Sequence, residues 1–426
     1  MFIESIDIQN YRGIERLHMD FKEGVNLLIG NNGAGKTSLL TALSVMLSEP
    51  LLWLAGQLRP GDREKIENDA FQTTSIIGDT VVQTVAHYPV RIEGKINFMG
   101  REYVCCQEKK SESNSVESKS SEFQNLFINA IGDQKVQMPL LSFLRAGRGK
   151  ALKPKAKTVT LNTGEVERVQ GYHGALTGEL NMQDIQNWCV QMDFTAYQKK
   201  QEVREYKAFQ NVVSRFASLI DEKSKDPKVY YSSAAGSIVY FDGTTEQPIH
   251  QLSAGYQAVL CMVIELAYRA VLLNPILDDV AAGTEGVVLI DEIEMHLHPA
   301  WQWKILDALR ETFPKVQFII ATHSPIILSS AKDAALYFMK SPSEVFQLNN
   351  VYGYSINDVL AIPQGSDYQP KRIAKYYDEA ERILDRGDTN QLNELLRKAE
   401  NEFINEPRVL EEFRSFVEVN RWVEEA

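Results

Sequence analysis

Three short stretches carry side chains able to handle a polyphosphate. The first is Gly30-Asn31-Asn32-Gly33-Ala34-Gly35-Lys36-Thr37, with Ser38 directly behind it. Its spacing is that of the phosphate-binding P-loop, where glycines let backbone N–H groups face phosphate oxygens at the positive end of a helix. On this pattern Asn31, Asn32, Gly33, Gly35 and Ser38 line the cradle. Lys36 reaches the β- and γ-phosphates, and the Thr37 hydroxyl takes a place on Mg²⁺. The second stretch, Val287-Val288-Leu289-Ile290-Asp291-Glu292, is an apolar run ending in two carboxylates. A buried strand of this kind delivers Asp291 to a sheet edge, where it can hold Mg²⁺ through water. Glu292 is then placed to polarise a water attacking a γ-phosphate. The third stretch is an apolar run from Val316 that ends in Thr322-His323-Ser324. The last two also have a plain reading, because carboxylates and histidines end ordinary strands too.

These groups can cooperate only if the chain brings them to one place. Val25-Asn26-Leu27-Leu28-Ile29 reads as a buried strand and Ser38-Leu39-Leu40-Thr41-Ala42-Leu43 as a helix, the strand–loop–helix order that the glycine motif needs. His323 follows Asp291 by 32 positions, with a helix over 300–312 between them. That length suits a βαβ crossover joining two parallel strands. Upstream, Gln251-Leu252-Ser253-Ala254-Gly255-Tyr256-Gln257 opens a long apolar helix over 256–273. The Ser253 hydroxyl and the first-turn N–H groups can face an anion. An ordinary N-cap has the same appearance.

The rest of the chain supplies the frame. Residues 2–10 alternate as a strand, with 17–21 as hairpin partner around Tyr11-Arg12-Gly13, and 91–98 and 102–106 flank a turn at Met99-Gly100. Residues 57–75 are polar and loop-like, and the Ser-, Glu- and Lys-rich segment 109–122 reads as a mobile excursion. A buried strand over 139–144 runs into Arg145, Arg148, Lys150, Lys153, Lys155 and Lys157, six positive charges within thirteen residues. They form either a solvated loop or a contact to phosphate, from nucleotide or nucleic acid. The pattern is helical over 181–220, too short for a long coiled-coil arm, and strand-like over 237–241 and 335–339. Helices near 371–386, 389–402 and 407–424 close the chain. The expected division is 1–150, the N-terminal part of a nucleotide-binding head; 151–235, a mainly helical insertion; 236–340, the C-terminal part of the head; and 341–426, a helical extension.

Composition narrows the function classes. A net charge of −12 over 426 residues argues against indiscriminate coating of nucleic acid. No uninterrupted apolar run approaches the ~20 residues of a membrane span, and the best candidate, 258–273, is broken by Glu265 and Arg269. Cys105 and Cys106 are adjacent while Cys189 and Cys261 stand alone, so neither a disulfide framework nor a zinc site is indicated. No secretory signal is visible, and the expected location is cytoplasmic, without a membrane partner.

The P-loop, the Leu-Ser-x-Gly helix start, the apolar run with Asp-Glu and the strand-end histidine, in that order, resemble the ATP-binding-cassette (ABC) ATPases. The resemblance implies an α/β head, a mixed β-sheet flanked by helices, carrying here a helical insertion and a helical C-terminal tail. It implies ATP and Mg²⁺ as ligands and two heads sandwiching ATP, the P-loop of one facing the signature serine of the other. In its terms Lys36, Thr37 and Asp291 bind ATP and Mg²⁺, Glu292 is the catalytic base and His323 the γ-phosphate sensor. Ser253 and Gly255 are contacts made in trans, and Leu297-His298 falls at the D-loop. The Ile-x-Ile-x-Asn-Tyr-Arg-Gly start and Asp291-Glu292-Ile293-Glu294-Met295-His296-Leu297-His298-Pro299 look like the RecF-like and overcoming-lysogenization-defect-like branch. That branch includes the ATPases of anti-phage systems such as Septu and some retrons, and it implies that Arg12 lies near the nucleotide. The resemblance covers 1–50 and 250–330 well and the middle loosely. The chain departs from the family in lacking the double glycine of transporter signatures. Its Q-loop glutamine is either Gln72 or Gln83, and few strands are available after 331 for a Toprim nuclease domain. The expected function is an ATPase that dimerises around ATP and regulates a separately encoded effector, an HNH-type nuclease or a retron reverse transcriptase complex. The alternative is a RecF-like repair ATPase that binds DNA directly, with Arg145, Arg148 and Lys150 as contacts.

Overall fold

The alternating start of the chain forms β1 (Phe2–Tyr11), which buries Ile3, Ile6 and Ile8 and turns at Arg12 into the antiparallel β2 (Ile14–Asp20). The protein was analysed as a computed structural model that describes residues 1–54, 58, 62, 64–67, 70–77, 82–118, 120–146, 168–178, 182–222, 224, 226–277, 279–348, 351–353, 371–384, 389–402, 410, 413, 414 and 417. It comprises two units, Met1–Ile356 and Asn357–Ala426. In the first, β3 (Val25–Gly30) is buried along its whole length and leads through the glycine loop into α1 (Lys36–Leu47). This helix is enclosed because it touches strands of two different sheets, so it is apolar nearly all round.

One sheet is antiparallel. A hairpin of β4 (Thr73–Ile77) and β5 (Val82–Ala86) precedes it, so the stretch expected to be loop over 57–75 ends in a strand. β6 (Val90–Phe98) and β7 (Arg101–Lys109) form the expected hairpin. The 109–122 segment differs from its reading as an excursion. It turns back as β8 (Glu117–Ser118), pairs with Gln107 and Glu108, and enters α2 (Ser121–Gly132). Ser118 and Gln124 hydrogen-bond to the fully buried Glu49, so polar residues that read as solvated serve an interior network. The completed order is β2-β1-β6-β7-β8.

The other sheet positions the chemistry. β9 (Leu140–Leu144) is followed, beyond the undescribed basic segment, by α3 (Met182–Lys199) and α4 (Arg204–Ile220). A three-stranded antiparallel sheet of β10 (Lys228–Ser232), β11 (Ser237–Phe241) and β12 (Glu246–Pro248) leads to α5 (Ala254–Leu273). α4 packs its apolar face on α5, and Trp188 of α3 meets Tyr268 of α5 edge-on at 5.4 Å. Then come β13 (Gly286–Ile290), β14 (Val316–Ala321), β15 (Ala335–Ser341) and β16 (Glu344–Leu348). The order is β16-β15-β3-β14-β13-β9, parallel throughout except for the β15–β16 hairpin. The sheet is therefore mixed, within an α/β fold. The strand β16 had no counterpart in the sequence reading, which placed 344–348 in the tail. The crossover helix expected over 300–312 is split into Pro299–Gln302 and Ile305–Thr312.

α5 is long and apolar enough to cross a membrane, yet it is buried in the head. Glu265 and Arg269 pair within it at 2.9 Å, and Arg269 also donates to the carbonyls of Gly171 and His173. All four cysteines are free and buried. In the second unit Lys371–Leu384 and Thr389–Glu402 share a small core of Ala380, Ile383, Leu392, Leu395 and Phe413.

Candidate functional site

β3, β14, β13 and β9 are parallel, so their carboxyl ends share one edge, the usual place for ligands in such sheets. At the end of β3 the loop is exposed at Asn31, Asn32 and Gly33, while Lys36 is buried. Gly33 and Gly35 have φ of 82° and 95°, left-handed conformations that favour glycine. At Gly35 a Cβ would also lie 3.0 Å from the backbone of Pro342. The Lys36 ammonium turns back into the loop and donates to the carbonyls of Gly30 at 2.8 Å and Asn31 at 3.1 Å. Burial lowers its pKa, against the opposing pull of Asp291, Glu294 and Glu292. Beside it the Thr37 Oγ1 donates to Asp291 Oδ2 at 2.9 Å, across 254 positions of sequence. Asp291 is itself fixed by its main-chain N–H, which donates to the carbonyl of Leu144 at 2.9 Å. Glu292 follows with φ of 47°, a sparsely populated conformation for a residue with a side chain.

The end of β14 is gripped from the segment behind Glu292. Thr322 Oγ1 donates to Glu294 Oε2 at 2.8 Å, and the His323 N–H donates to Glu294 Oε1 at 2.5 Å. Ser324 Oγ donates to Gln302 Oε1 at 2.6 Å, and Gln302 Nε2 donates to the carbonyl of Leu297 at 3.0 Å. The half-buried His323 ring has its pKa lowered, first by burial and then by Lys36, with the three carboxylates acting the other way. The imidazole is therefore held neutral at neutral pH.

The signature stretch starts α5 elsewhere in the fold. Ser253 caps the helix by accepting from the Tyr256 N–H at 3.5 Å, and Ser253 and Ala254 are exposed. Gly255 sits where a Cβ would be 2.7 Å from the carbonyl oxygen of His296. The Tyr256 ring packs edge-on against Trp301 at 4.4 Å, and its hydroxyl donates to Asp221. Arg12 engages Glu67 at 2.9 Å and lies over the Tyr11 ring. Gln72 is tied to β1 through the carbonyl of Asn10, whereas Gln83 lies on β5. Arg145, just past β9, donates to Glu64 at 2.8 Å and packs on Phe143 and Gly178. Arg148 and Lys150 lie outside the described residues.

The chain is similar to several known proteins. Residues 1–137 match a family model described as an AAA ATPase domain. Residues 197–329 match one described as an AAA domain, putative AbiEii toxin, Type IV TA system. The chain is 26% identical to a retron Vc95 probable ATPase of Vibrio cholerae serotype O1 biovar El Tor, over 86% of this chain and 79% of that protein. It is 26% identical to the Septu protein PtuA of Bacillus mycoides (strain KBAB4), over 78% of this chain and 39% of that protein. In fold it is similar to the Smc head crystallised with the C-winged-helix domain of ScpA, with a TM-score of 0.51 at 14% identity, covering 82% of this chain and 98% of that one. The chain is thus similar to AAA ATPase family models over 1–137 and 197–329 and, at low identity over most of its length, to retron and Septu proteins, while its fold is similar to that of an Smc head.

In this chain one hydroxyl, Thr37, and one carboxylate, Asp291, are already within hydrogen-bonding distance. Such a sparse hard-oxygen set suits Mg²⁺, which keeps several waters and takes substrate phosphates as ligands. Among the described residues no cluster of three His, Cys, Asp or Glu side chains offers a fuller metal cage. Glu294 and Gln302 were not singled out from the sequence. The available signal was a third carboxylate two positions beyond Glu292.

Proposed function

We propose that this chain is an ATPase that binds ATP with Mg²⁺ on the edge between Gly30, Asp291 and His323 and hydrolyses it. We further propose that two copies close around ATP, and that the closed dimer senses or regulates a separately encoded effector in cytoplasmic anti-phage defence. The observation that carries the reading is the Thr37–Asp291 hydrogen bond, because it joins P-loop and acidic strand end at one point. Lys36 would leave the loop carbonyls for the β- and γ-phosphates, where its charge is better compensated. Asn31, Asn32, Gly33, Gly35 and Ser38 would line the phosphates. Thr37 and Asp291 would hold Mg²⁺, which supplies neutralisation of the phosphate oxygens. Glu292 would accept the proton of the attacking water as its oxygen bonds to the γ-phosphorus and the bond to the ADP oxygen breaks. The neutral His323 would hydrogen-bond the γ-phosphate.

The exposed Ser253 and its neighbour Gly255 support the trans contact, since the helix start they form faces solvent. The retron and Septu relatives support a place beside an effector, an HNH-type nuclease or a retron reverse transcriptase complex. Phosphate release and solution mass with ATP and Mg²⁺ test the first two statements. A chain that neither turns over ATP nor dimerises with it would end them. The intact mass of the tagged protein drawn from its own host tests the third. A nuclease or reverse transcriptase in fixed ratio supports it. A bare dimer turns the reading to direct DNA binding.

A further inference from the structure

We propose that Glu294 is a positioning residue for His323, holding the loop after β14 at the nucleotide edge. The inference rests on the ATPase reading above and adds a residue that takes no part in it. Both Glu294 oxygens accept donors from that loop, one from the Thr322 hydroxyl at 2.8 Å and one from the His323 N–H at 2.5 Å. Two bonds to consecutive residues fix both the place and the rotation of the peptide carrying the imidazole, where a single bond would leave a hinge. Both are charge-assisted, and the hydroxyl of the fully buried Thr322 has no water as substitute. A second grip runs from Ser324 to Gln302 and on to the carbonyl of Leu297.

Both grips arise from the segment 294–302. The same segment presents the His296 carbonyl to Gly255 and Trp301 to Tyr256. It is a bracket with the signature helix on one side and the histidine loop on the other. Glu294 therefore acts on the reaction through His323, because its own oxygens are taken by loop donors. It also ties the loop to the part of the head that carries Ser253.

The test is steady-state hydrolysis by the full chain. Glu294→Ala is expected to lower kcat by roughly tenfold to a hundredfold with KM for ATP within about twofold, the penalty of an ångström-scale misplacement. Glu294→Gln should restore kcat to within about threefold, because its carbonyl still accepts from His323 and its amide can donate to Thr322 Oγ1. Thr322→Ser should behave as wild type and Thr322→Val should not. In a His323→Ala background, Glu294→Ala should cost less than about twofold more, since a residue acting through another falls silent without it. A full-sized loss in that background, or a Gln variant as poor as the Ala variant, overturns the positioning role. Hydrogen exchange of residues 321–325 reads the grip without turnover, and Glu294→Ala should quicken it by at least about tenfold. Unchanged exchange overturns the proposal even in a chain that binds ATP and does not hydrolyse it. A Lys36→Ala chain that still hydrolyses at the wild-type rate would instead remove the ATPase reading and leave the exchange result standing.

Discussion

The strand-end edge and the start of α5 are built in opposite ways. At the edge, Lys36, Asp291 and Thr322 are buried and held by partners from within the chain. At the start of α5, Ser253 and Ala254 are exposed, and the Ser253 hydroxyl serves a local cap, accepting from the Tyr256 N–H. Buried charges need compensation whatever else binds, so the edge must be organised before ligand arrives. An exposed helix start can offer the first-turn N–H groups that its cap does not take to whatever approaches. The difference teaches that the strand-end edge is closed by contacts within the chain, while the helix start is left exposed, as the proposed trans contact requires. The bracket 294–302 is where the two meet.

The comparison predicts which changes hurt chemistry and which hurt assembly. The largest effect should come from Glu292→Gln, which removes the proposed proton acceptor and none of the partners in the Lys36, Thr37–Asp291 and Glu294 hydrogen bonds. Turnover should fall by about 10²–10⁴-fold with ATP affinity retained, and wild-type hydrolysis would take Glu292 out of the base role. Lys36→Ala should raise the Kd for ATP by on the order of a hundredfold, as expected for loss of charge-assisted bonds to phosphate. Titration with a fluorescent ATP analogue measures it, and an unchanged Kd would break the account of the edge. Ser253→Arg should leave ATP affinity within about twofold while turnover falls by roughly tenfold or more, because an exposed residue can be changed without unfolding the head. Intact hydrolysis, or an ATP-dependent dimer in light scattering, would remove the trans contact.

Two smaller effects sharpen the picture. Gly255→Ala adds a Cβ 2.7 Å from the His296 carbonyl. Overpacking of this kind costs about 1–3 kcal/mol, visible as a Tm lower by several degrees. An unchanged Tm would mean that the bracket yields. The smallest effect concerns His323, whose pKa is lowered from 6.5 in the folded chain. As pH falls through and below 6.5, the unfolded chain takes up a proton that the folded chain refuses, so stability declines. The decline ends once pH passes the lower folded value. His323→Gln should flatten this part of the Tm–pH curve, and an unaltered slope would show that the ring is not held neutral by its surroundings.

Arg145 illustrates the limit of reading charge from sequence. Its place at the head of a basic run left it open between a solvated loop and a phosphate contact, and in the fold it pairs with Glu64, a partner from a stretch read as loop. The segment 109–122 misled for a related reason. Its serines look solvated by composition, but Glu49 is buried where Ser118 can reach it. The split crossover and β16 were missed because a short helix break and a short edge strand leave little periodic signal.

By itself the sequence determined the local units: strand, glycine loop and helix around Lys36, apolar runs ending at Asp291 and His323, and a capped helix at Ser253. These follow from periodicity and backbone freedom within a few residues, so neighbours in sequence suffice to specify them. Only the tertiary structure decided that Thr37 meets Asp291, that Glu294 grips Thr322 and His323, and that Gly255 rests on His296. Those contacts depend on the order of strands in the sheet and the path of the crossover between them. Side chains tens to hundreds of positions apart become partners only when the buried strands are laid side by side.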